Sequence, residues 1–200
     1  MKGERNVVDH RALWESRWAD RDYDGGWRLD EMPVELQQAV AEGWFPPRAS
    51  LLDIGCGDGE VAAWLAGQGY DVLGIDFASA AIAKARTAYG GVPALAFDVV
   101  DISQAPPGRN GFGALFDRGC LHSIPQDLAP EYVRNVAAVA EPDARFLLLH
   151  RVGARPGLAR KDVVARIETL CRDSFDVVRV ADAEMGRRPG VACWMIRVER

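Results

Sequence analysis

Glycine, aspartate and histidine recur in this chain where apolar runs give way to turns, and their spacing defines the chemistry available to it. Residues 51–60 read LLDIGCGDGE. Leu51, Leu52 and Ile54 supply a buried strand. Gly55, Gly57 and Gly59 then leave three positions without side chains, so the backbone can turn sharply and lie against a ligand at the strand's carboxyl end. Asp53, just before the turn, is placed to accept from a ligand amine or to orient the loop's N–H groups. The loop is G-x-G-x-G preceded by an acid. A dinucleotide fingerprint needs G-x-G-x-x-G, and position 60 is Glu60. A second apolar run, YDVLGIDFA (70–78), ends in Asp76, where a carboxylate accepts from both hydroxyls of a ribose and disfavours a 2′-phosphate. A third run, ALAFDVVD (94–101), carries Asp98. The segment FDRGCLHSIP (116–125) adds Asp117 at a strand end and His122, an imidazole of the type that takes a proton near neutral pH.

The elements that must hold these groups alternate between two periods. Val61, Trp64 and Leu65 form an i, i+3, i+4 stripe after the glycine loop, and Ile82, Ala85 and Tyr89 repeat it after the second strand. A fourth strand is predicted at 112–117. Pro130 suits the first turn of a helix whose stripe is Val133, Val136, Ala137 and Ala140, and a fifth strand follows at 144–150. Such alternation specifies a parallel sheet covered by helices on both faces, with ligands outside the carboxyl ends of the strands. After a helix near 157–171, the runs 174–181 and 191–198 are joined by a connection too short for a helical crossover, so they pair antiparallel. Val191, Cys193 and Met195 alternate with Ala192, Trp194, Ile196 and Val198, which makes the last run apolar on both faces and places it inside the sheet.

In combination, the acid before the glycines and the acids at 76 and 98 resemble the class I S-adenosylmethionine-dependent methyltransferases, in motifs over residues 50–150 and in topology to the end. The resemblance implies a Rossmann-like three-layer α/β sandwich, strand order 3-2-1-4-5-7-6 with an antiparallel last strand, S-adenosylmethionine as cofactor and S-adenosylhomocysteine as product. It implies that Asp53, Gly55, Cys56, Gly57, Gly59, Asp76 and Phe77 contact the cofactor, and that Asp98 meets the adenine amino group with Val99 beside the ring. The run at 116–125 is similar to that of small-molecule methyltransferases. By that likeness Asp117 and Arg118 line the methionine part of the cofactor, the backbone after Asp117 holds its amine, and Leu121 and His122 flank the reactive methyl group. His122 is then either a general base or a residue that orients substrate and caps the loop. Asp117 is read as structural or cofactor-orienting, not as a base.

The first fifty residues bear on the acceptor. Trp14 and Trp18 lie four apart on a segment able to form an amphipathic helix, Trp27 follows, and Trp44 and Phe45 are expected to pack on the sheet. For Trp14, Trp18 and Trp27 both packing and ligand contact are open, since N-terminal extensions of this fold close over the cofactor. The W-x-x-x-W spacing is similar in part to the thiopurine S-methyltransferase and tellurite-resistance-like groups. Residues 1–48 are therefore expected to form a helical lid and substrate segment on a core of 49–200, in one domain.

Composition narrows the classes. The 200 residues are 48% apolar and carry a formal net charge of −5 without a long Lys/Arg run, which disfavours a nucleic acid partner and leaves a small-molecule substrate. The start MKGERNVVDH has no apolar signal core, and the apolar runs are strand-sized, so a cytoplasmic, non-membrane protein is expected. Cys56, Cys120, Cys171 and Cys193 show neither C-x-x-C spacing nor matching histidines, and no metal site or disulfide is expected. Two alternatives share the motifs: a protein that binds S-adenosylmethionine without transfer, and an NAD-dependent oxidoreductase.

Overall fold

A seven-stranded sheet in the order β3-β2-β1-β4-β5-β7-β6 organises the molecule. The computed structural model describes residues 10–20, 31–153 and 159–199. The strands are β1 (Ser50–Ile54), β2 (Asp71–Asp76), β3 (Leu95–Val99), β4 (Phe112–Arg118), β5 (Ala140–Arg151), β6 (Phe175–Met185) and β7 (Arg188–Arg197). The first five run parallel, and β7 is antiparallel to both of its neighbours. This is the order and the late antiparallel strand that the motifs imply.

Helices α1 (His10–Ala19), α2 (Val34–Ala41), α3 (Glu60–Gly67), α4 (Ser79–Tyr89), α5 (Cys120–Ser123), α6 (Ala129–Val139) and α7 (Arg160–Cys171) surround the sheet. Strand alternation divides the core in two. Leu52, Ile54, Leu115 and Leu148 face α6 and α7, where Tyr132, Val136, Val163 and Ile167 are buried. Leu51, Val72, Phe116 and Leu147 face α2, α3 and α4, against Leu36, Leu65 and Ile82. β7 serves both cores: Val191, Cys193 and Met195 join the first and Ala192 and Trp194 the second. Six consecutive residues of β7, Gly190 to Met195, are buried, as a strand with neighbours on both edges and helices on both faces requires. Phe45 is buried edge-on to Tyr70 at 6.1 Å, and Trp44 packs beneath Arg145.

Three boundaries differ from the periodic reading. Ala140 opens β5 and does not close the preceding helix, because Pro142 has no N–H to give a helix and holds Glu141 extended. β6 extends to Met185 and β7 begins at Arg188, so the hairpin pairs past its apolar residues to a turn at Gly186 and Arg187, where Gly186 has φ 63°. Backbone pairing, which leaves no side-chain pattern, sets those ends. α7 starts at Arg160. Among the described residues no helix is long and apolar enough to cross a membrane.

Candidate active site

The carboxyl ends of β1, β2 and β4 open into a cleft of about 830 Å³. The turn after β1 is built by its own amides: Gly55 N–H and Cys56 N–H donate to the Ile75 carbonyl at 2.8 and 2.9 Å. Two of the glycines are needed for space as well as for conformation. Gly59 (φ 85°) ends the loop, and a Cβ there would stand 2.6 Å from the Phe97 ring. Gly57 (φ 57°) lies under Trp18, whose ring a Cβ would approach to 2.8 Å. Asp76 holds the loop from β2, its Oδ2 accepting from Gly57 N–H at 3.1 Å and its Oδ1 from Ala78 N–H at 2.8 Å. Each oxygen retains acceptor capacity beyond these bonds, and Asp76 lines the cleft. Burial pushes the Asp76 carboxyl up to about 6, opposed by those amides and reinforced by Glu15.

Asp53 differs from Asp76. It is 3% exposed and lines the cleft, and its Oδ2 has no hydrogen-bond partner among the described residues. Burial, then the charges of Asp117 and Asp76, push its carboxyl up to about 8. The Gly57 amide that Asp53 might have oriented is taken by Asp76.

Asp117 performs a structural task. Fully buried beneath the loop after β4, it accepts from Cys120 N–H at 2.8 Å and Leu121 N–H at 3.0 Å, and from the Tyr132 hydroxyl at 2.5 Å. Burial raises its carboxyl to about 6 while these donors pull the other way. It does not line the cleft; Arg118 and Gly119 do. Leu121 is likewise displaced from its expected place, buried in the core and lining a small cavity behind His122.

His122 lines the cleft, and its Nδ1 accepts from the Arg151 N–H at 3.3 Å. Its ring lies edge-on to His150 at 5.2 Å. Burial, then His150, Arg151 and Arg118, hold its pKa down to about 3, so the ring is not the near-neutral titrating group that its residue type suggests.

The expected adenine acid is corrected. Phe97 takes the inward position on the edge strand β3, which turns Asp98 to solvent, where it pairs with Arg86 at 3.4 Å. Val99 is 48% exposed. Val100, Asp101 and Ile102 line the cleft in their place. Asp101 accepts from Ser103 N–H at 3.1 Å and from its hydroxyl at 2.6 Å, and pairs with Arg11 at 3.3 Å.

α1 crosses this end of the cleft. Trp14, Trp18, Phe77 and Cys56 all line it, and Trp18 is 7% exposed, packed with Ala78 and Ala81. Glu15, one turn of helix from Trp18, accepts from Ser79 N–H at 2.9 Å, Ala80 N–H at 3.1 Å and the Ser79 hydroxyl at 2.6 Å, and so caps α4 from another helix. Trp27 lies outside the described residues. Glu15, Asp101, Arg151 and Arg188 were not singled out from the sequence. Only Arg151 leaves a local signal, a cation directly after the apolar run LLLH. Among the described residues no group of three or more His, Cys, Asp or Glu side chains is arranged to hold a metal ion.

The chain is similar to known proteins. The family model of thiopurine S-methyltransferase matches residues 9–155. A 2-heptyl-1-hydroxyquinolin-4(1H)-one methyltransferase of Mycobacteroides abscessus is 31% identical over 125 residues, 62% of this chain and 54% of that protein. This chain thus aligns with about half the length of that relative. A thiopurine S-methyltransferase of Pseudomonas syringae pv. syringae is 26% identical over 152 residues, 68% of each chain. In fold, the chain is similar to the N-methyltransferase NodS of Bradyrhizobium japonicum, solved with S-adenosyl-L-homocysteine, with a TM-score of 0.71 at 17% identity over 96% of this chain and 99% of that one.

Proposed function

The chain belongs to the thiopurine S-methyltransferase family, and from that premise we propose that it transfers a methyl group from S-adenosylmethionine to an O, N or S atom of a small molecule. The observation that carries this reading is Asp53, whose buried carboxyl has an oxygen without a partner at a cleft whose glycine loop has no room for side chains. A buried acceptor left unpaired costs about 1–3 kcal/mol, so a ligand that brings an ammonium to this place is strongly favoured. S-adenosylmethionine supplies an electrophilic methyl group on a sulfonium when bound.

This chain's residues hold and align it. In our assignment Asp53 accepts from the ammonium, and Gly55, Cys56, Gly57, Arg118 and Gly119 line the methionine part. The free lone pairs of Asp76 meet the ribose hydroxyls, with Phe77, Asp101 and Ile102 around the adenosine. Trp14 and Trp18 cover the site from α1 and exclude water from it, which supports residues 1–48 acting as a lid on the core of 49–200 within one domain. The sulfonium makes the methyl reactive without help, so the protein contributes proximity, orientation and water exclusion. A cytoplasmic setting belongs to the same reading, supported by four free cysteines, three of them buried.

The family relatives act on small heteroaromatic acceptors by name, which supports an acceptor of that size here. Glu60 at the position where a dinucleotide loop needs its third glycine argues against NAD. The test combines binding with turnover. S-adenosylhomocysteine at about a hundred times its Kd adds about 2.7 kcal/mol of stability and raises the melting temperature, while NAD does not. A mass gain of one methylene on a panel of thiols, phenols, amines and carboxylic acids then separates transfer from binding alone. Equal stabilisation by NAD would overturn the assignment.

A further inference from the structure

Beyond the residues assigned to the cofactor, the cleft is lined by His122 of α5, Arg151 of β5, Met185 of β6 and Arg188 of β7, and the acceptor belongs at this end. His122 stands there on a boundary. With Ile124 and Arg151 it lines the cleft, and the same three residues line the small cavity behind it. That cavity, of about 30 Å³, shares Gln126, Ala129, Arg166 and Leu170 with an open groove of about 550 Å³ between the start of α6 and the C-terminal half of α7. Cleft, neck and groove are joined wall to wall. Together they make a passage from the acceptor end of the site to the surface.

Two apolar walls form the neck. α7 supplies Val163, Ile167 and Leu170, at i, i+4 and i+7, and the segment from α5 to the first turn of α6 supplies Leu121, Ile124 and Ala129. All of these but Leu170 are at most 6% exposed. The second wall is not a continuous helix: α5 is a single turn ending at Ser123, and Pro125 leads into a 3-10 turn over Gln126–Leu128. Two short turns do not offer the regular ridges that would fill the grooves of α7, which leaves the space open. Polar groups stand at its ends. His122, His150 and Arg151 lie toward the cleft, with His150 Nδ1 held 3.0 Å from the Arg151 carbonyl, and Gln126 and Arg166 lie toward the groove.

An apolar lining without partner atoms forfeits its dispersion contacts, and water finds few partners there, so the space favours an apolar occupant. Its volume has room for about two water-sized groups, which suits a chain and excludes a ring. Leu170 lies seven residues beyond Val163, about 10 Å along the helix, so the neck is longer than it is wide. The partition can move. The Nδ1 bond of His122 to the Arg151 amide is long at 3.3 Å, so turning the ring aside costs one weak bond, and burial keeps the ring neutral as it turns.

We infer that the acceptor carries an unbranched apolar tail, which leaves the cleft past the His122 ring and lies in the neck between α7 and the α5–α6 segment, with the groove as its outer mouth. This rests on the methyl-transfer reading and deepens it by naming a substrate class: small molecules with an alkyl or acyl chain attached to the group that takes the methyl. His122 is then a specificity-determining residue, the wall that opens for a chain.

The test reads binding and not turnover. The S-adenosylhomocysteine complex of the full chain is titrated calorimetrically with 4-alkylphenols whose straight chains run from methyl to octyl. Affinity is expected to rise by about threefold to fourfold for each added methylene until the chain fills the neck. 4-tert-Butylphenol is expected to bind no better than the methyl member. Leu170→Trp and Ala129→Leu fill the neck from its two walls. Each is expected to weaken octylphenol binding at least tenfold, while the methyl member and S-adenosylhomocysteine bind as they do to the wild type. Equal affinity along the series, no binding of any member, or a gain with length that survives in both variants overturns the tail site. S-adenosylhomocysteine that fails to bind overturns the methyl-transfer reading and this one with it, which tells the two failures apart.

Discussion

Along the carboxyl edge of the sheet, β1, β2 and the turn after β3 end in Asp53, Asp76 and Asp101, whereas β4, β5 and β7 present Arg118, Arg151 and Arg188 to the same cleft. In the acidic half burial, then Asp117 and Asp76, push Asp53 up to about 8, while burial with Glu15 pushes Asp76 up to about 6. In the basic half burial lowers Arg118 and Arg151 and holds His122 down to about 3. Asp101 pairs with Arg11, and Glu35 and Glu60 act on Arg118, whereas Asp53 Oδ2 and Arg151 Nε are buried without a hydrogen-bond partner among the described residues. In the proposed function the cationic methyl donor lies against the first half and the small-molecule acceptor against the second.

Removing one group from each half tests whether the halves are separable. The largest effect is expected from Asp76→Ala, which takes away the ribose acceptor and frees the amides of Gly57 and Ala78. S-adenosylhomocysteine affinity is expected to fall by about a hundredfold or more, as loss of two charge-assisted bonds implies, and calorimetry checks it. An affinity within a few-fold of wild type would show that the acid serves the loop alone. Next is Tyr132→Phe, beneath the basic half. Losing the hydroxyl that donates to buried Asp117 is expected to cost about 1–3 kcal/mol in denaturant unfolding while leaving S-adenosylhomocysteine binding unchanged. The smallest is Glu15→Gln, which weakens the cap that α1 places on α4. It is expected to lower stability by no more than about 1 kcal/mol and to speed hydrogen exchange in residues 10–19, most visibly without ligand. Unchanged exchange in that segment would make α1 a static packing element.

Much of this arrangement was legible in the chain. The glycine loop, Asp53 and Asp76 are local features, because a strand tip beside a backbone ligand admits few residue types, and the doubly apolar pattern of 191–196 placed β7 inside the sheet. Asp98 was misread for a reason of one residue: on a strand of period two, burial of Phe97 sends its neighbour outward. The bridge from Glu15 to Ser79 joins residues 64 apart. No spacing rule foretells such a contact. The state of His122 depends on an amide of β5, 29 residues on, and therefore only folding reveals that the imidazole accepts from the backbone.

The division of the cleft is tested most directly by the protons that accompany S-adenosylhomocysteine binding. Asp53, raised from an ordinary 3.8 to about 8, keeps a proton in the free folded protein at pH 7 and must lose it to receive an ammonium. The sign is definite. Between about 4 and 8 the folded free state holds more protons than the unfolded chain, so apoprotein stability falls as pH rises through that window, while cofactor affinity increases by up to about tenfold per pH unit. Calorimetric titration at pH 7 in two buffers of different ionisation enthalpy is predicted to show release of most of one proton by the wild type and by Arg151→Met, and none by Asp53→Asn. Binding by the wild type without proton release, or a loss of affinity in Arg151→Met as large as in Asp53→Asn, would contradict the account.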